Sequence, residues 1–240
     1  MVAALLMPSM LRFLPESLKE RLRLRAGVVT PASRLRNLRR AGFEPAHLLD
    51  GGAYRGDWAR LARPIWPRAR LVLVEPQPSQ EAELRALCGR LEPAVFVAAA
   101  LGPVAGEGRL CLQASNSRLD PEAPGPAVRV PVVTLADLLP AHGFNAASLL
   151  KLDLQGGELA ALQGAGDWFG RCEAILLEVS WLRIGEPPLV HEVFAACVAR
   201  GYRPYDLWGH NHRPLDGALW QTDVLFVRED SPLLARRDHA

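Results

Sequence analysis

The strongest constraint on the fold comes from residues 151–158, where an apolar run ends in a glycine turn and apolar residues at helical spacing follow. This pattern predicts a strand, a turn and a helix. Lys151 and Asp153 share one side of the strand, because side chains alternate with a period of two. Glu158 falls in the first helical turn, where the helix dipole favours a negative charge. In a parallel α/β sheet, such a turn lies at the carboxyl edge, where ligands bind.

A second corner of the same kind precedes the first by about a hundred residues. Residues 50–56 read Asp-Gly-Gly-Ala-Tyr-Arg-Gly, between a short apolar strand and a helix. Glycine permits a sharp bend and a close approach to a ligand. The next predicted strand ends at Glu75-Pro76, 25 residues after Asp50 and about one βαβ step away. An acidic residue at that strand end suits the two hydroxyls of a ribose, so the sequence predicts a site for a nucleoside-containing cofactor.

The position of Asp50 indicates which class of cofactor this is. Residues 51–56 fit G-x-A-x-x-G, a weak variant of the dinucleotide fingerprint. A pyrophosphate would be cradled by backbone amides, and a carboxylate beside it would repel it. Asp50 stands immediately before the glycines and suits a cofactor that carries an amino group and no phosphate. S-adenosylmethionine is such a cofactor.

Eight segments, in this order and spacing, resemble the FkbM-type family of class I S-adenosylmethionine-dependent methyltransferases. They are DGGAYRG (50–56), VEP (74–76), AAALG (98–102), VTLAD (133–137), KLDLQGGE (151–158), LQGA (162–165), EVS (178–180) and DVLFV (223–227). The chain departs from the family at Tyr54, where Asn is frequent, and at Ala136, where Asp is common. The resemblance runs from about His47 to Arg228.

The resemblance implies a Rossmann-like α/β fold. We expect a mostly parallel seven-stranded sheet with a C-terminal antiparallel strand, helices on both faces and a helical N-terminal extension. Residues 108–133, which are interrupted by proline and glycine, predict a β-rich insert.

The resemblance also implies O-methylation of a hydroxyl group on a sugar, a glycan or a secondary metabolite. In-line methyl transfer needs alignment, partial exclusion of water and a group that takes the hydroxyl proton. Asp153, at its strand end, is the predicted general base, with Lys151 as its electrostatic partner and Glu158 as a third catalytic candidate. The alternatives are a structural Lys151–Asp153 ion pair and a Glu158 that simply stabilises the helix N-terminus.

The site residues follow from the corners and from the resemblance. The predicted cofactor contacts are Asp50, Gly51, Gly52, Ala53, Tyr54, Gly56, Glu75, Pro76, Ala99 and Asp153. Among these, Ala99 rests on the resemblance, which implies that it flanks the adenine. The predicted substrate contacts are Ser115, Asn116, Glu178 and His210. The sequence His210-Asn211-His212 could present two metal ligands, but no third ligand is evident, so no metal is predicted.

Two other functions remain open at this stage. An NAD-linked oxidoreductase would use the same glycine corner, although Asp50 argues against it and no hydride-transfer constellation is visible. A non-catalytic protein could bind S-adenosylmethionine or a partner on the same scaffold. Retention of acidic residues at both corners favours an enzyme.

Length and composition predict one catalytic domain. The 240 residues, 49% apolar, suffice for a single α/β core, which we place at residues 46–230, after a basic helical extension (1–45) and before a flexible tail (231–240). The net charge of +2 gives no reason to expect nucleic acid. Nine Lys or Arg against two Glu in residues 1–40 suggest weak contact with a membrane surface, or else a solvated extension.

The compartment is predicted from absent signals. Residues 1–14 lack a basic start and a cleavage site, so we expect no secretory leader. No stretch reaches the roughly 20 apolar residues of a membrane helix. Four scattered cysteines without a C-x-x-C pair are typical of a reduced, cytoplasmic protein. The oligomeric state is left open.

Overall fold

A computed structural model describes residues 29–122 and 124–235, and its elements follow the predicted alternation. The helices are α1 (Pro31–Arg40), α2 (Asp57–Ala62), α3 (Glu81–Arg90), α4 (Leu135–Ala141), α5 (Glu158–Gln163) and α6 (Val190–Ala199). The strands are β1 (His47–Gly51), β2 (Arg70–Val74), β3 (Ala94–Val97), β4 (Ala100–Leu101), β5 (Gly106–Cys111), β6 (Arg118–Leu119), β7 (Ala127–Val133), β8 (Ser148–Leu152), β9 (Ala174–Ser180), β10 (Tyr202–His212) and β11 (Leu219–Arg228).

Seven strands form the central sheet, in the order β10-β11-β9-β8-β1-β2-β3. The pairs from β9 through β8, β1 and β2 to β3 are parallel, whereas β11 is antiparallel to both β9 and β10. The parallel strands are almost continuous apolar runs, as expected of strands buried on both faces. The predicted mostly parallel sheet with a C-terminal antiparallel strand is confirmed.

Helices cover both faces of this sheet and bury two apolar clusters. Leu49, on one face, packs in a cluster with α4, α5 and α6, and Leu48 points to the other cluster, with α1, α2 and α3. Leu35 and Leu38 of α1 are buried in the second cluster, so this helix belongs to the core. Residues 1–28 of the predicted helical extension lie outside the described residues, as do residues 236–240 of the predicted tail.

A second, four-stranded sheet interrupts the alternation where the sequence predicts a β-rich insert. Its strand order is β4-β7-β5-β6, and β5 pairs antiparallel with both β6 and β7. The short turn at residues 114–116 and strand β6 project from it towards the carboxyl edge of the central sheet. Residues of the insert therefore line one side of the region where a ligand would bind at that edge.

Strand β10 extends through residues 210–212, since His212 pairs with Leu219 of β11. Register shifts after Pro204 and Trp208 let the strand bend while it stays paired, and such bulges leave no periodic signal in sequence. Within the described residues, no helix is long and apolar enough to cross a membrane.

Candidate active site

The two glycine corners lie side by side, because β1 and β8 are neighbouring parallel strands. Asp50 is the register partner of Lys151. Gly52 has a φ of +71° and packs so closely on the second corner that a side-chain carbon there would overlap the Asp153 carbonyl oxygen. The close approach of the corners therefore requires glycine at position 52 for two reasons, its backbone conformation and its lack of a side chain.

Gly52→Ala is expected to lower the free energy of unfolding by about 2 kcal/mol or more, because strained backbone and overlap with main chain add together. Urea unfolding measures the change. Gly217→Ala is the matched control, since Gly217 has a φ of +72° with no atom within 4 Å of the added carbon. The control should show the backbone cost alone, about 1 kcal/mol. Equal losses in the two variants would show that the overlap is relieved at no cost.

The Lys151 ammonium joins the two corners. Its Nζ lies 3.0 Å from Asp50 Oδ1 and donates hydrogen bonds to the carbonyls of Gly52 (3.0 Å) and Gly51 (3.3 Å). Asp153 Oδ2 is farther away, at 3.6 Å. Burial disfavours the charged amine, but the carboxylates of Asp50 and Asp153 outweigh it and raise the pKa of Lys151. Lys151 was predicted as the partner of Asp153, and its nearer partner is Asp50.

Asp50 was predicted to contact a cofactor, and the structure does not bring its side chain to a cavity. The side chain is fully buried behind Lys151. Gly51 is enclosed as well, since a side chain there would meet Leu152 and Leu101. Gly56 begins α2 in the left-handed conformation and packs on Leu87. Asp50, Gly51 and Gly56 therefore support the first glycine corner (residues 50–56) through buried contacts.

A cavity of about 360 Å³ opens at the carboxyl edge of the sheet. This lies within the usual range for a small-molecule site. Its walls include the predicted residues Gly52, Tyr54, Glu75, Pro76, Ala99, Ser115, Asn116, Asp153 and Glu178. His210 is exposed and does not line it, whereas its neighbour Asn211 does.

Glu75 ends β2 with its carboxylate held by the backbone. One oxygen accepts from the amide of Tyr54 (2.8 Å) and the other from that of Gln77 (3.0 Å). Burial raises the pKa of Glu75, and these amide bonds oppose the rise. Tyr54 has a φ of +46°, a region that Asn enters more readily than Tyr. The departure from the family at Tyr54 thus falls on a strained residue that also lines the cavity.

A second cavity, of about 300 Å³, continues from the first past Gly52. Both cavities are lined by Gly52, Tyr54, Asp153 and Glu178. Trp58 lines the second one, and its buried indole Nε1 has no hydrogen-bond partner in the part of the chain that the structure describes. A donor of this kind is open to an acceptor atom of a ligand.

Asp153 stands where the two cavities meet. Its side chain is 34% exposed, and its Oδ1 accepts a hydrogen bond of 2.8 Å from Gln155 Nε2. The carboxylate is thus held between the Gln155 amide and the Lys151 ammonium and remains accessible from the cavities. A fixed, accessible carboxylate is suited to accepting a proton.

Glu158 was a catalytic candidate, and the structure places it elsewhere. Its carboxylate is 3% exposed and accepts hydrogen bonds from the amides of Leu154 (2.7 Å) and Gly156 (3.3 Å). Burial raises the pKa of Glu158 to about 7, against these amide bonds. The side chain braces the turn from β8 to α5 and does not line the cavity.

Glu178 and Asp223 are register partners on β9 and β11 and add two acidic groups to the site. Glu178 accepts amide hydrogen bonds from Gln221 (2.7 Å) and Gln155 (3.2 Å). Burial, then the neighbouring carboxylates of Asp153, Glu158 and Asp223, raise the pKa of Glu178 well above its usual range. Burial, then Asp153, raise the pKa of Asp223 to about 7.

These shifts predict a pH dependence of stability. A carboxyl whose pKa is higher in the folded state stabilises the fold fully below its unfolded pKa, and this stabilisation is lost as pH rises towards the folded value. For Asp223 and Glu158 that window runs from about 4 to about 7. The free energy of unfolding should therefore fall between pH 5 and pH 8.

Asp223→Asn is expected to reduce that fall by about 1–3 kcal/mol, at 1.4 kcal/mol per pKa unit, as measured by urea unfolding at both pH values. Asp216→Asn is the control. The guanidinium of Arg213 lowers the pKa of the exposed Asp216 to about 2, so Asp216 is ionised throughout this range and its replacement should leave the fall unchanged. An Asp223 variant with the full wild-type slope would contradict the assignment.

Sequence reasoning missed three groups in the site. Gln155 and Gln221 are neutral amides with no characteristic spacing, so only their contacts single them out. Asp223 was quoted within a family segment without a role. The arginines Arg183 and Arg213 pair with Glu192 and Asp216. Within residues 29–122 and 124–235, no group of three His, Cys, Asp or Glu side chains is placed to hold a metal ion.

Comparison with known proteins places these features in context. The sequence profile of a family described as the methyltransferase FkbM domain matches residues 50–204. The solved structure of a methyltransferase FkbM from Methylobacillus flagellatus KT is similar at 14% identity and a TM-score of 0.51, over 75% of this chain and 43% of that one. The chain thus spans less than half of that protein. At this identity the likeness shows the fold alone.

Two further structures are similar at lower TM-scores. One is a precorrin-6y C5,15-methyltransferase from Geobacter metallireducens GS-15, with 12% identity, a TM-score of 0.45 and coverage of 80% of this chain and 87% of that one. The other is a magnesium protoporphyrin IX methyltransferase from Synechocystis PCC 6803 with bound S-adenosylmethionine, with 11% identity, a TM-score of 0.46 and coverage of 82% and 76%. No curated protein matches the sequence.

Proposed function

The chain belongs to the FkbM methyltransferase family, whose profile matches well over half of it, and we propose that it transfers a methyl group from S-adenosylmethionine to a hydroxyl of a sugar, a glycan or a secondary metabolite. The observation that carries this proposal is the cavity at the carboxyl edge of the sheet, with Glu75 at β2 and Asp153 at β8 among its walls. Ligands of open α/β sheets bind at this edge.

The residues present fit this cofactor. The buried carboxylate of Glu75 would accept hydrogen bonds from the ribose hydroxyls, and Pro76, Ala99 and Leu101 offer apolar surface for the adenine. The second cavity, past Gly52, would hold the amino-acid end, where the unpartnered Trp58 Nε1 can donate to a carboxylate. Acidic side chains in both cavities favour cationic groups and disfavour a pyrophosphate.

When bound, S-adenosylmethionine supplies an electrophilic methyl group on a sulfonium. Asp153, at the junction of the cavities, would accept the proton of the attacking hydroxyl through its exposed carboxylate. The Gln155 amide holds that carboxylate by a hydrogen bond, and the Lys151 ammonium lies 3.6 Å away on its other side. The turn at residues 114–116, with strand β6, covers the cavity and would limit the access of water.

Calorimetric titration with S-adenosylhomocysteine, with NAD as the control, tests this function. Micromolar binding of S-adenosylhomocysteine and no binding of NAD is the expected result, and it would justify a screen of hydroxyl-bearing acceptors for methyl transfer. Binding of NAD alone would overturn the proposal in favour of an oxidoreductase. Binding of neither, repeated with S-adenosylmethionine itself, would also count against it.

A further inference from the structure

Gln155, in the turn after β8, joins two acidic groups that line both cavities. Its Nε2 lies 2.8 Å from Asp153 Oδ1 and 3.2 Å from Glu178 Oε2. Each of these two carboxyl oxygens accepts a hydrogen bond from the amide nitrogen, so this is the end of Gln155 that faces them, and its two hydrogens serve the two neighbours. Glu178 also receives the amide of Gln221, which does not contact Asp153.

The backbone of Gln155 is strained. Its φ of +55° lies in the left-handed region, which is unfavourable for most residues other than glycine. Glycine would adopt this backbone conformation with less strain. The two hydrogen bonds from the side-chain amide to acidic groups offset this cost.

Lys151 competes with Gln155 for the same carboxylate. The gap of 3.6 Å between Lys151 Nζ and Asp153 Oδ2 is longer than a hydrogen bond, although the charges attract. Without the Gln155 amide, the Asp153 side chain is free to turn towards Lys151. Lys151 lies beside Asp50 and Gln155 lies beside Glu178, so a carboxylate attracted by Lys151 alone would move towards Asp50 and away from Glu178.

We propose that Gln155 is a positioning residue of the methyl-transfer site, whose side-chain amide holds the Asp153 carboxylate beside Glu178 and towards the cavity, against the attraction of Lys151. The proposal rests on the proposed function in one respect, that Asp153 accepts the proton. The arrangement itself does not depend on which molecule is methylated, so it can be tested without an acceptor.

The test follows the titration of Glu178 by ¹³C NMR of the full chain labelled at glutamate carboxyls, with the signal assigned from Glu178→Gln. The charged groups that face Glu178 are Asp153, Glu158, Asp223 and Lys151. Asp153→Asn removes one like charge and is expected to lower the pKa of Glu178 by about one unit or more. In a Gln155→Met background this effect should shrink by at least half, because Asp153 has already moved away.

Gln221→Met is the matched control. It removes an amide hydrogen bond from Glu178, just as Gln155→Met does, but leaves the bond between Gln155 and Asp153 intact. The effect of Asp153→Asn on Glu178 should therefore keep its full size in the Gln221→Met background. An undiminished effect in the Gln155→Met background would overturn the proposal, and so would equal reductions in both backgrounds.

The variant Gln155→Gly tests whether the result with Gln155→Met comes from the loss of the amide or from a defect in folding. Glycine relieves the positive φ and removes the amide, so its two effects on stability oppose each other, and the effect of Asp153→Asn on Glu178 should shrink as it does with methionine. A full effect in a stable Gln155→Gly variant would equally contradict the proposal. Failure of the proposed function would show separately, as absent binding of S-adenosylhomocysteine.

Discussion

Glu75→Ala is expected to weaken the binding of S-adenosylhomocysteine about 100-fold or more, as measured by calorimetric titration. A carboxylate that accepts two ribose hydroxyls makes two hydrogen bonds to a charged group, each worth about 1.5–3 kcal/mol. Their loss therefore amounts to at least 3 kcal/mol, and each 1.4 kcal/mol is a factor of ten in affinity. Glu75 is 4% exposed and lies in the cavity wall, so water does not easily take the place of its carboxylate as an acceptor for the ribose hydroxyls.

Two variants separate contact with the ligand from support of the corner, since Glu75 also accepts the amides of Tyr54 and Gln77. Glu75→Gln keeps one acceptor oxygen and a similar volume, so it should fold normally and still bind at least tenfold more weakly than wild type. Glu83→Ala, at an exposed glutamate on α3, is the matched control and should bind normally. Affinity within threefold of wild type in Glu75→Gln would place the ribose elsewhere.

The central sheet was predictable because its signals are local. Apolar runs, glycines and acidic residues at strand ends recur at the spacing of βαβ units, and parallel strands must place their carboxyl ends at one edge. That reasoning brought Glu75 and Asp153 to the same cavity, as the structure shows. It also predicted the antiparallel last strand, but only through the family resemblance, since periodicity does not show orientation.

The direction of each side chain was not predictable in the same way. Asp50, Asp153 and Glu158 all lie at the two glycine corners, yet Asp50 pairs with a buried lysine, Asp153 faces the cavity and Glu158 binds the amides of its own turn. Lys151 Nζ lies 3.0 Å from Asp50 Oδ1 and 3.6 Å from Asp153 Oδ2, so Asp50 is its nearer partner. This choice of partner depends on the register of β1 against β8. The extension of β10 to His212 likewise depends on its pairing with β11, which the sequence of β10 alone does not show.

The distribution of charge in the site differs from what the overall composition suggests. The chain is almost neutral overall, with a net charge of +2, but the site concentrates acidic groups around one lysine. Burial and mutual repulsion raise the pKa of Glu178 and of Asp223. A carboxyl with a raised pKa holds its proton to higher pH and is a poorer candidate for the group that takes the hydroxyl proton, which supports the proposal that Asp153 has this role.

Asp153→Asn is therefore expected to lower kcat by about 10²–10⁴-fold with any acceptor that the wild-type enzyme methylates. The binding of S-adenosylhomocysteine should stay within about threefold, because asparagine keeps the shape and an oxygen for the Gln155 amide. Formation of S-adenosylhomocysteine measures the rate. Asp167→Asn, at a residue that pairs with Arg171 on the surface, is the matched control and should have normal kcat.

Glu178→Gln distinguishes the two carboxyl groups that face the cavity. Glutamine at position 178 still offers an oxygen to the amides of Gln155 and Gln221, so the arrangement around Asp153 is retained. If Asp153 accepts the proton, Glu178→Gln should retain at least a tenth of the wild-type kcat. If instead Glu178→Gln loses the larger factor and Asp153→Asn turns over normally, the proton goes to Glu178, and the raised pKa of that group would move the rate optimum to alkaline pH.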